Sequence, residues 1–387
     1  MKIAIDARFL THPQVGGFKT YTINLINALS QVDNNNQYVL YLDRSPEDCD
    51  LPQSENFTYH VVHFTVPKFG MPYREQVALR RQIARDDPDL IHFLSNTATV
   101  NLNRNYVLTL HDTIQVSNPY ALKFYGRFSN KKVWAITAYS KWTILRTARK
   151  AVSIITVSNY EKDQIIRDLN IPSDRISVTH LAPNPIFKPA SEETKKNWRK
   201  KINQKFDIQR QFILGIGHEP RKRISELINA FSQIAPNHPN LDLVIVSAEE
   251  HQRSEFHKVV NKLNISDRVV ILEALPQADL MILLNLAEIF VFPSERESFG
   301  LPPLEAMACG APVIASRYSS IPEIVGNAAL LIDGAEINDI ANGIDQVLNN
   351  GSLRAKLISN GLDRVANFTW EKCARQTIEI YKKTLEK

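Results

Sequence analysis

Short runs of β-branched residues and leucine recur along this chain, each separated from the next by an amphipathic stretch, and that alternation leaves few folds open. The runs at Lys2–Asp6, Tyr38–Leu42, Tyr59–Phe64, Leu90–Phe93, Tyr106–Leu110 and Ser153–Val157 mark the first half. Those at Phe212–Gly217, Leu241–Val246, Arg268–Leu272, Ile289–Phe292, Pro312–Ala315 and Ala328–Ile332 mark the second. Continuous apolar runs read as strands buried on both faces, and the stretches between them as crossover helices, so the sheets are parallel. Between the first two runs, for example, Tyr21, Leu25, Ile26 and Leu29 share one helical face. At 387 residues the chain exceeds one ordinary core. Three prolines in Leu181–Ala190 interrupt the pattern and place a linker there. The expected architecture is α/β: two doubly wound, Rossmann-like domains, residues 1–187 and 188–369, facing across a cleft with ligands at the carboxyl ends of the strands.

Composition excludes more than it selects. No apolar run reaches the ~18 residues of a membrane span, and Asp6 and Arg8 interrupt the N-terminus where a signal peptide needs apolar residues. Cys49, Cys309 and Cys373 form no C-x-x-C pair, which fits a reducing, cytoplasmic location. His60 and His63, three apart on a strand, point to opposite faces and make no metal pair. A net charge of +5 is too weak and too spread to argue for nucleic acid.

Chemistry concentrates in Pro293–Ser316. A strand ends at Phe292, a loop carries Glu297, and a helix opening at Pro302-Pro303 carries Glu305 in its first turn and stops at Gly310. Proline suits the first helical positions, where its missing N–H would go unpaired. Such a helix N-terminus collects anions. Two carboxylates eight residues apart beside an anion site suit a ligand with phosphate at one end and hydroxyls at the other. A nucleotide-sugar has both.

This run resembles the E-x7-E signature of family 4 retaining glycosyltransferases, which have the GT-B fold, and it is nearest to bacterial mannosyltransferase-like members of polysaccharide pathways. Glu297 and Glu305 occupy the two glutamate positions, with Phe299-Gly300-Leu301 between them. The resemblance implies that Glu297 contacts the sugar hydroxyls and Glu305 the ribose, while the backbone from Ser298 to Leu301 holds the donor. Ser298 stands where the family usually has glycine, which bears on the choice of sugar. The resemblance also implies that the last helix, residues 370–387, crosses back to the first domain.

Three further segments match. In Gly215-Ile-Gly-His-Glu-Pro-Arg-Lys-Arg223 a helix is expected to begin near Arg221, which sets cations at the unfavourable end of its dipole unless a diphosphate binds. Lys222 and Arg221 match the family's phosphate-neutralising residues, and Gly217 its glycine. His218 replaces a common arginine. Gly16 and Gly17 let backbone approach a donor or acceptor closely, although Lys19 and Thr20 depart from the family's continuation. His111-Asp112 follows a strand at the ligand end, so His111 is expected to orient the sugar and Asp112, with Lys19, to lie on the acceptor side. Ser158 reads as a helix N-cap, and Ser319-Ser-Ile-Pro-Glu323 matches an S-x-P-E turn of the family.

The reaction implied is transfer of a hexose from GDP-mannose or a UDP-sugar to a hydroxyl of a glycan or lipid-linked acceptor, with retention and without metal or other cofactor. Arg221, Lys222 and the Gly300-to-Leu304 amides are expected to stabilise the leaving diphosphate. A nucleotide-sugar 2-epimerase of the same fold and a non-catalytic nucleotide-sugar-binding subunit are the alternatives. Basic residues Arg74, Arg80, Arg81, Arg85, Lys131, Lys132, Lys141, Arg146, Arg149 and Lys150, interleaved with Trp134, Tyr139 and Trp142, compose a surface suited to peripheral contact with an anionic membrane.

Overall fold

The structure, a computed structural model, describes residues 1–12, 16–47, 49, 51–63, 70–117, 131–217, 219–247 and 249–386, without the side chains of residues 131–134. Phe64, Val15, His218 and the side chains of Lys131, Lys132 and Trp134 therefore lie outside the described residues. The chain divides into two units, residues 1–181 with 369–387, and residues 182–368.

In the first unit the strands are β1 (Lys2–Asp6), β2 (Gln37–Leu42), β3 (Phe57–Val61), β4 (Leu90–Phe93), β5 (Tyr106–Thr109), β6 (Ser153–Thr156) and β7 (Ile176–Val178). They form one sheet in the order β3-β2-β1-β4-β5-β6-β7, with every pairing parallel. Apolar runs build the centre because both faces are covered: β1, β4, β5 and β6 bury nearly every residue. The edge strand β3 instead exposes Thr58, Tyr59 and His60. The helix Trp370–Leu385 completes this unit. Thr369 caps it by accepting from the Lys372 N–H, and Trp370 packs its ring 6.2 Å from that of Tyr21. Buried Tyr381 meets His92 Nδ1 at 2.7 Å, and Thr384 donates to Ser153.

In the second unit β8 (Gln211–Ile216), β9 (Leu241–Val246), β10 (Val269–Leu272), β11 (Ile289–Phe292), β12 (Val313–Ser316) and β13 (Ala329–Ile332) run parallel in the order β10-β9-β8-β11-β12-β13. Ile213, Ile245, Val291 and Ile314 from four of these strands share a core with Leu227 and Phe231 of the helix Ile224–Ile234. Asn285 interrupts the apolar helix Gln277–Leu286 for a reason visible only here: its amide ties down the proline-rich segment through the Ala190 N–H and the Lys188 carbonyl.

Candidate active site

β8 and β11 are neighbours whose onward connections leave in opposite directions, so their carboxyl ends flank the switch point of the second sheet, where open α/β sheets bind ligands. Two loops start there. After β8 the chain turns at Gly217, whose φ of +159° and close approach to Lys222 exclude a side chain: a Cβ would lie 2.5 Å from Lys222 Cβ. A single tight turn, Pro220–Lys222, follows, and the helix begins only at Ile224. The expected start near Arg221 is corrected by Arg223, whose left-handed backbone (φ +55°) breaks the turn from the helix. Arg223 also leaves the basic group, pairing with Glu226 at 2.9 Å and Glu295 at 2.5 Å.

The loop after β11 is stitched to this turn by the Glu295 N–H, which donates to the Arg221 carbonyl at 2.8 Å. Two residues on, Glu297 is 8% exposed and its Oε1 gathers three donors: Lys222 Nζ at 2.6 Å, Ser294 Oγ at 2.5 Å and Arg221 at 3.3 Å. Burial alone would raise its pKa, but Lys222 and Arg221, with the Ser294 hydroxyl, hold it below the usual carboxylate range. No protein partner for Oε2 is found among the described residues. Lys222 Nζ also lies over the Phe292 ring at 4.9 Å. Carboxylate, ammonium and guanidinium expected from the sequence to share a ligand thus meet in one place.

Gly300 starts the next helix with φ +107°, and a Cβ there would lie 2.7 Å from Ile321. The helix is Leu301–Ala308, so Glu305 is its fifth residue; the expected first-turn position is corrected because helical backbone begins at Leu301 rather than at the prolines. Pro302 and Pro303 carry no N–H. The N–H groups available at this terminus are therefore those of Gly300 and Leu301, fewer than the five-residue span Gly300–Leu304 suggests. The Glu305 carboxylate is half-buried and accepts no hydrogen bond among the described residues, and burial pushes it up to about 7. Phe299 is 3% exposed and packs edge-on against Phe368, so its side chain anchors the loop in the core. Ser298 and Leu301 are half-buried beside it.

In the first unit, His111 follows β5 and is buried. Its ring sits edge-on to Phe18 and Tyr21, Nε2 is 3.0 Å from the Leu94 carbonyl, and the His111 backbone N–H donates to Asn96 Oδ1. Burial lowers its pKa to about 4, so the ring is neutral at pH 7. Asp112 accepts from the Ile114 N–H and is half-buried. Gly16 (φ +133°) and Gly17 open the helix Gly17–Val32 with nothing within 4 Å of either Cβ position. Lys19 donates to the His12 carbonyl at 2.9 Å, tying the helix to the segment before the glycines.

One constellation escaped the sequence. At the switch point of the first sheet, between β1 and β4, Asp6, Arg8, Arg74 and Glu75 form a buried ion network: Arg8 pairs with Asp6 and with Glu75 (2.7 Å), and Arg74 with Asp6 (3.1 Å) and Asp43 (3.3 Å). Thr97 and Tyr139 hydroxyls complete the Glu75 carboxylate. Arg74, 1% exposed, therefore leaves the basic surface in which its charge had placed it. A π-helical turn, Arg74–Ala78, was the one local device involved, and π turns have no sequence signature as plain as an E-x7-E pair.

Two doubly wound units, one with a cation-held glutamate and a helix N-terminus at its switch point, define a GT-B glycosyltransferase. Residues 15–184 match the Glycosyltransferase Family 4 model and residues 196–364 the Glycosyl transferases group 1 model. The chain is 30% identical over 358 residues to the O-antigen chain mannosyltransferase B of Escherichia coli, covering 91% of this chain and 84% of that protein. It is 26% identical over 384 residues to the serotype-specific mannosyltransferase WbdA of Escherichia coli, spanning 94% of this chain and 45% of WbdA. Among solved structures, sucrose-phosphate synthase from Thermosynechococcus elongatus superposes with a TM-score of 0.74 at 22% identity, over 99% of this chain and 98% of that one. The chain belongs to the family 4, group 1 glycosyltransferases.

Proposed function

We propose that this glycosyltransferase moves a mannosyl residue from GDP-mannose to a hydroxyl of a growing glycan or lipid-linked acceptor in surface polysaccharide synthesis, with retention of the anomeric configuration and without a metal. The mannosyl reading is supported by the names of the relatives it resembles over most of its length. The single observation that carries the chemistry is Lys222 and Arg221 converging on Glu297 beside the Gly300–Leu301 helix terminus. Two cations and two amides there suit a diphosphate, and an oxygen of Glu297 left open suits a sugar hydroxyl.

In the reaction the bond from the anomeric carbon to the β-phosphate oxygen breaks and its electron pair stays with the diphosphate. Lys222, Arg221 and the helix terminus stabilise that growing charge, each well-placed donor lowering the barrier by ~3–4 kcal/mol. Glu297 orients the ring. The acceptor oxygen attacks from the face the diphosphate leaves, and its proton passes to a phosphate oxygen of the leaving group. Glu305 accepts from the ribose hydroxyls.

Membrane contact is supported by the helix Lys131–Lys150, which exposes Ile136 (52%) and Trp142 (44%), with Arg146 stacked over Trp142 and Arg149 and Lys150 exposed at its end. Co-sedimentation with phosphatidylglycerol but not phosphatidylcholine vesicles tests it. The donor is tested by thermal shift with GDP-mannose, GDP-fucose, UDP-glucose, UDP-galactose, UDP-GlcNAc and ADP-glucose in EDTA. A donor at a hundred times its Kd adds ~2.7 kcal/mol, and Lys222→Ala abolishes the response. Proton NMR of the product's anomeric coupling then tests retention. No stabilisation by any donor, with EDTA or with magnesium, refutes the reading.

A further inference from the structure

Glu297 sits on a loop, and a carboxylate that orients a sugar needs that loop held to fractions of an ångström. The turn after β12 supplies the hold. Ser319 Oγ accepts the Glu297 N–H at 2.9 Å and donates to the Tyr318 carbonyl at 2.8 Å. Ser320 Oγ, fully buried, lies 2.9 Å from the Glu297 carbonyl and 2.8 Å from that of Phe299, and its proton is shared between them. Behind these, Ser316 donates to the Ser294 carbonyl, and Ser294 donates to Glu297 Oε1. Ser319 reaches its position only by adopting φ +56°, a left-handed backbone that costs a serine about 1 kcal/mol or more and persists where surrounding contacts over-determine it.

We infer that Ser319 and Ser320 are positioning residues that aim the open oxygen of Glu297 at the donor sugar. Their bonds go to the N–H and carbonyl of Glu297 itself and to the carbonyl two residues on, bracketing the side chain from both sides of its own backbone. Lys222, Arg221 and Ser294 then fix the remaining torsions from Oε1. Ser319 touches neither the cations nor the helix terminus, so its loss disturbs the sugar end of the site and leaves the diphosphate end in place, whereas Ser320, through the Phe299 carbonyl, also fixes the peptide that carries the Gly300 N–H. The inference rests on the reading of Glu297 as a sugar ligand given above.

Ser319→Gly is the informative variant, because glycine takes φ +56° without strain and removes only the hydroxyl. Ser319→Asn is its rescue, since asparagine tolerates the left-handed region and presents an acceptor oxygen. With the full chain, Ser319→Gly is expected to lower kcat with GDP-mannose on the order of 10²-fold, as for an ångström-scale misplacement. Its Kd for GDP stays within about twofold, and Ser319→Asn regains most of the lost rate. A kcat within about twofold of wild type, or a GDP affinity that falls in step with kcat, overturns the inference. Hydrogen exchange provides a reading that needs no donor. The 295–300 segment should exchange about tenfold faster in Ser319→Gly while 289–292 stays protected, and unchanged exchange overturns the inference equally. A wild type that exchanges as expected yet neither binds nor turns over GDP-mannose refutes the donor reading alone.

Discussion

Glu297→Gln should tighten the binding of free GDP while crippling transfer. Glu297 is the counter-anion of Lys222 and Arg221, the two cations proposed above to hold the diphosphate. An arriving diphosphate must therefore share them with a carboxylate whose Oε1 lies 2.6 Å from Lys222 Nζ. At an effective dielectric of 20 that contact represents about 6 kcal/mol of gross attraction, most of it offset by desolvation of a pair whose side chains alone are 13% and 10% exposed. A charge-assisted hydrogen bond of this kind nets ~1.5–3 kcal/mol. Removing the charge but keeping the shape releases roughly the lower end of that range to the diphosphate, so GDP should bind about tenfold more tightly. Titration calorimetry of GDP into both proteins measures the change directly. Turnover with GDP-mannose, followed as released GDP, should fall by about 10² because a neutral amide orients the charged transition state poorly. Weaker or unchanged GDP binding by the variant would refute the idea that the same cations serve carboxylate and phosphate.

Other expectations follow from titrating groups and tight contacts. Burial raises the Glu305 pKa from 4.5 to about 7, so its contribution to stability is fully present below 4.5 and is lost as pH rises through 7. Glu305→Gln should therefore be more stable than wild type at pH 8 by about 1–2 kcal/mol in urea denaturation, a figure discounted for the water reaching this half-buried site, and match it near pH 4.5. His92 and His111 are lowered by burial to about 3 and about 4, so both stay neutral when folded and contribute stability that is lost as pH falls from 6.5. In urea, the stability gap between wild type and His92→Gln should narrow by about 2 kcal/mol between pH 7 and pH 5; a constant gap would count against a neutral His92. Gly217→Ala, forcing a Cβ to 2.5 Å from Lys222, should cost ~1–3 kcal/mol in chemical denaturation and abolish donor-induced stabilisation.

Strands were the most legible elements because central strands buried on both faces are built on apolar runs: Lys2–Asp6, Leu90–Phe93, Leu241–Val246 and Ile289–Phe292, which hold only Lys2, Asp6, His92 and Asp242 as polar exceptions, have the bounds the sequence suggests. β7 went unseen, since Ile176–Val178 is three residues at the sheet edge behind a polar turn. Around the site, the meeting of Glu297 with Lys222 was legible because each lies just beyond a strand at one switch point, and topology alone brings such loops together. The local path was not. A left-handed Arg223 leaves no mark in composition, so the helix start was placed too early. The Asp6–Arg8–Arg74–Glu75 network pairs residues nearly seventy positions apart, and an arginine on an amphipathic stretch reads as solvated until its partners are placed.

The closing helix has a consequence for synthesis. Residues 369–387 belong to the unit that begins at residue 1, and they supply Tyr381 and Thr384 as partners for His92 and Ser153 in its interior. A ribosome adding 5–20 residues per second reaches that helix roughly 10–40 s after finishing residue 181. Throughout that interval the second unit can complete its own sheet, whereas the first must wait with the place of its last helix unfilled. The unit whose strands are made first is thus the unit completed last.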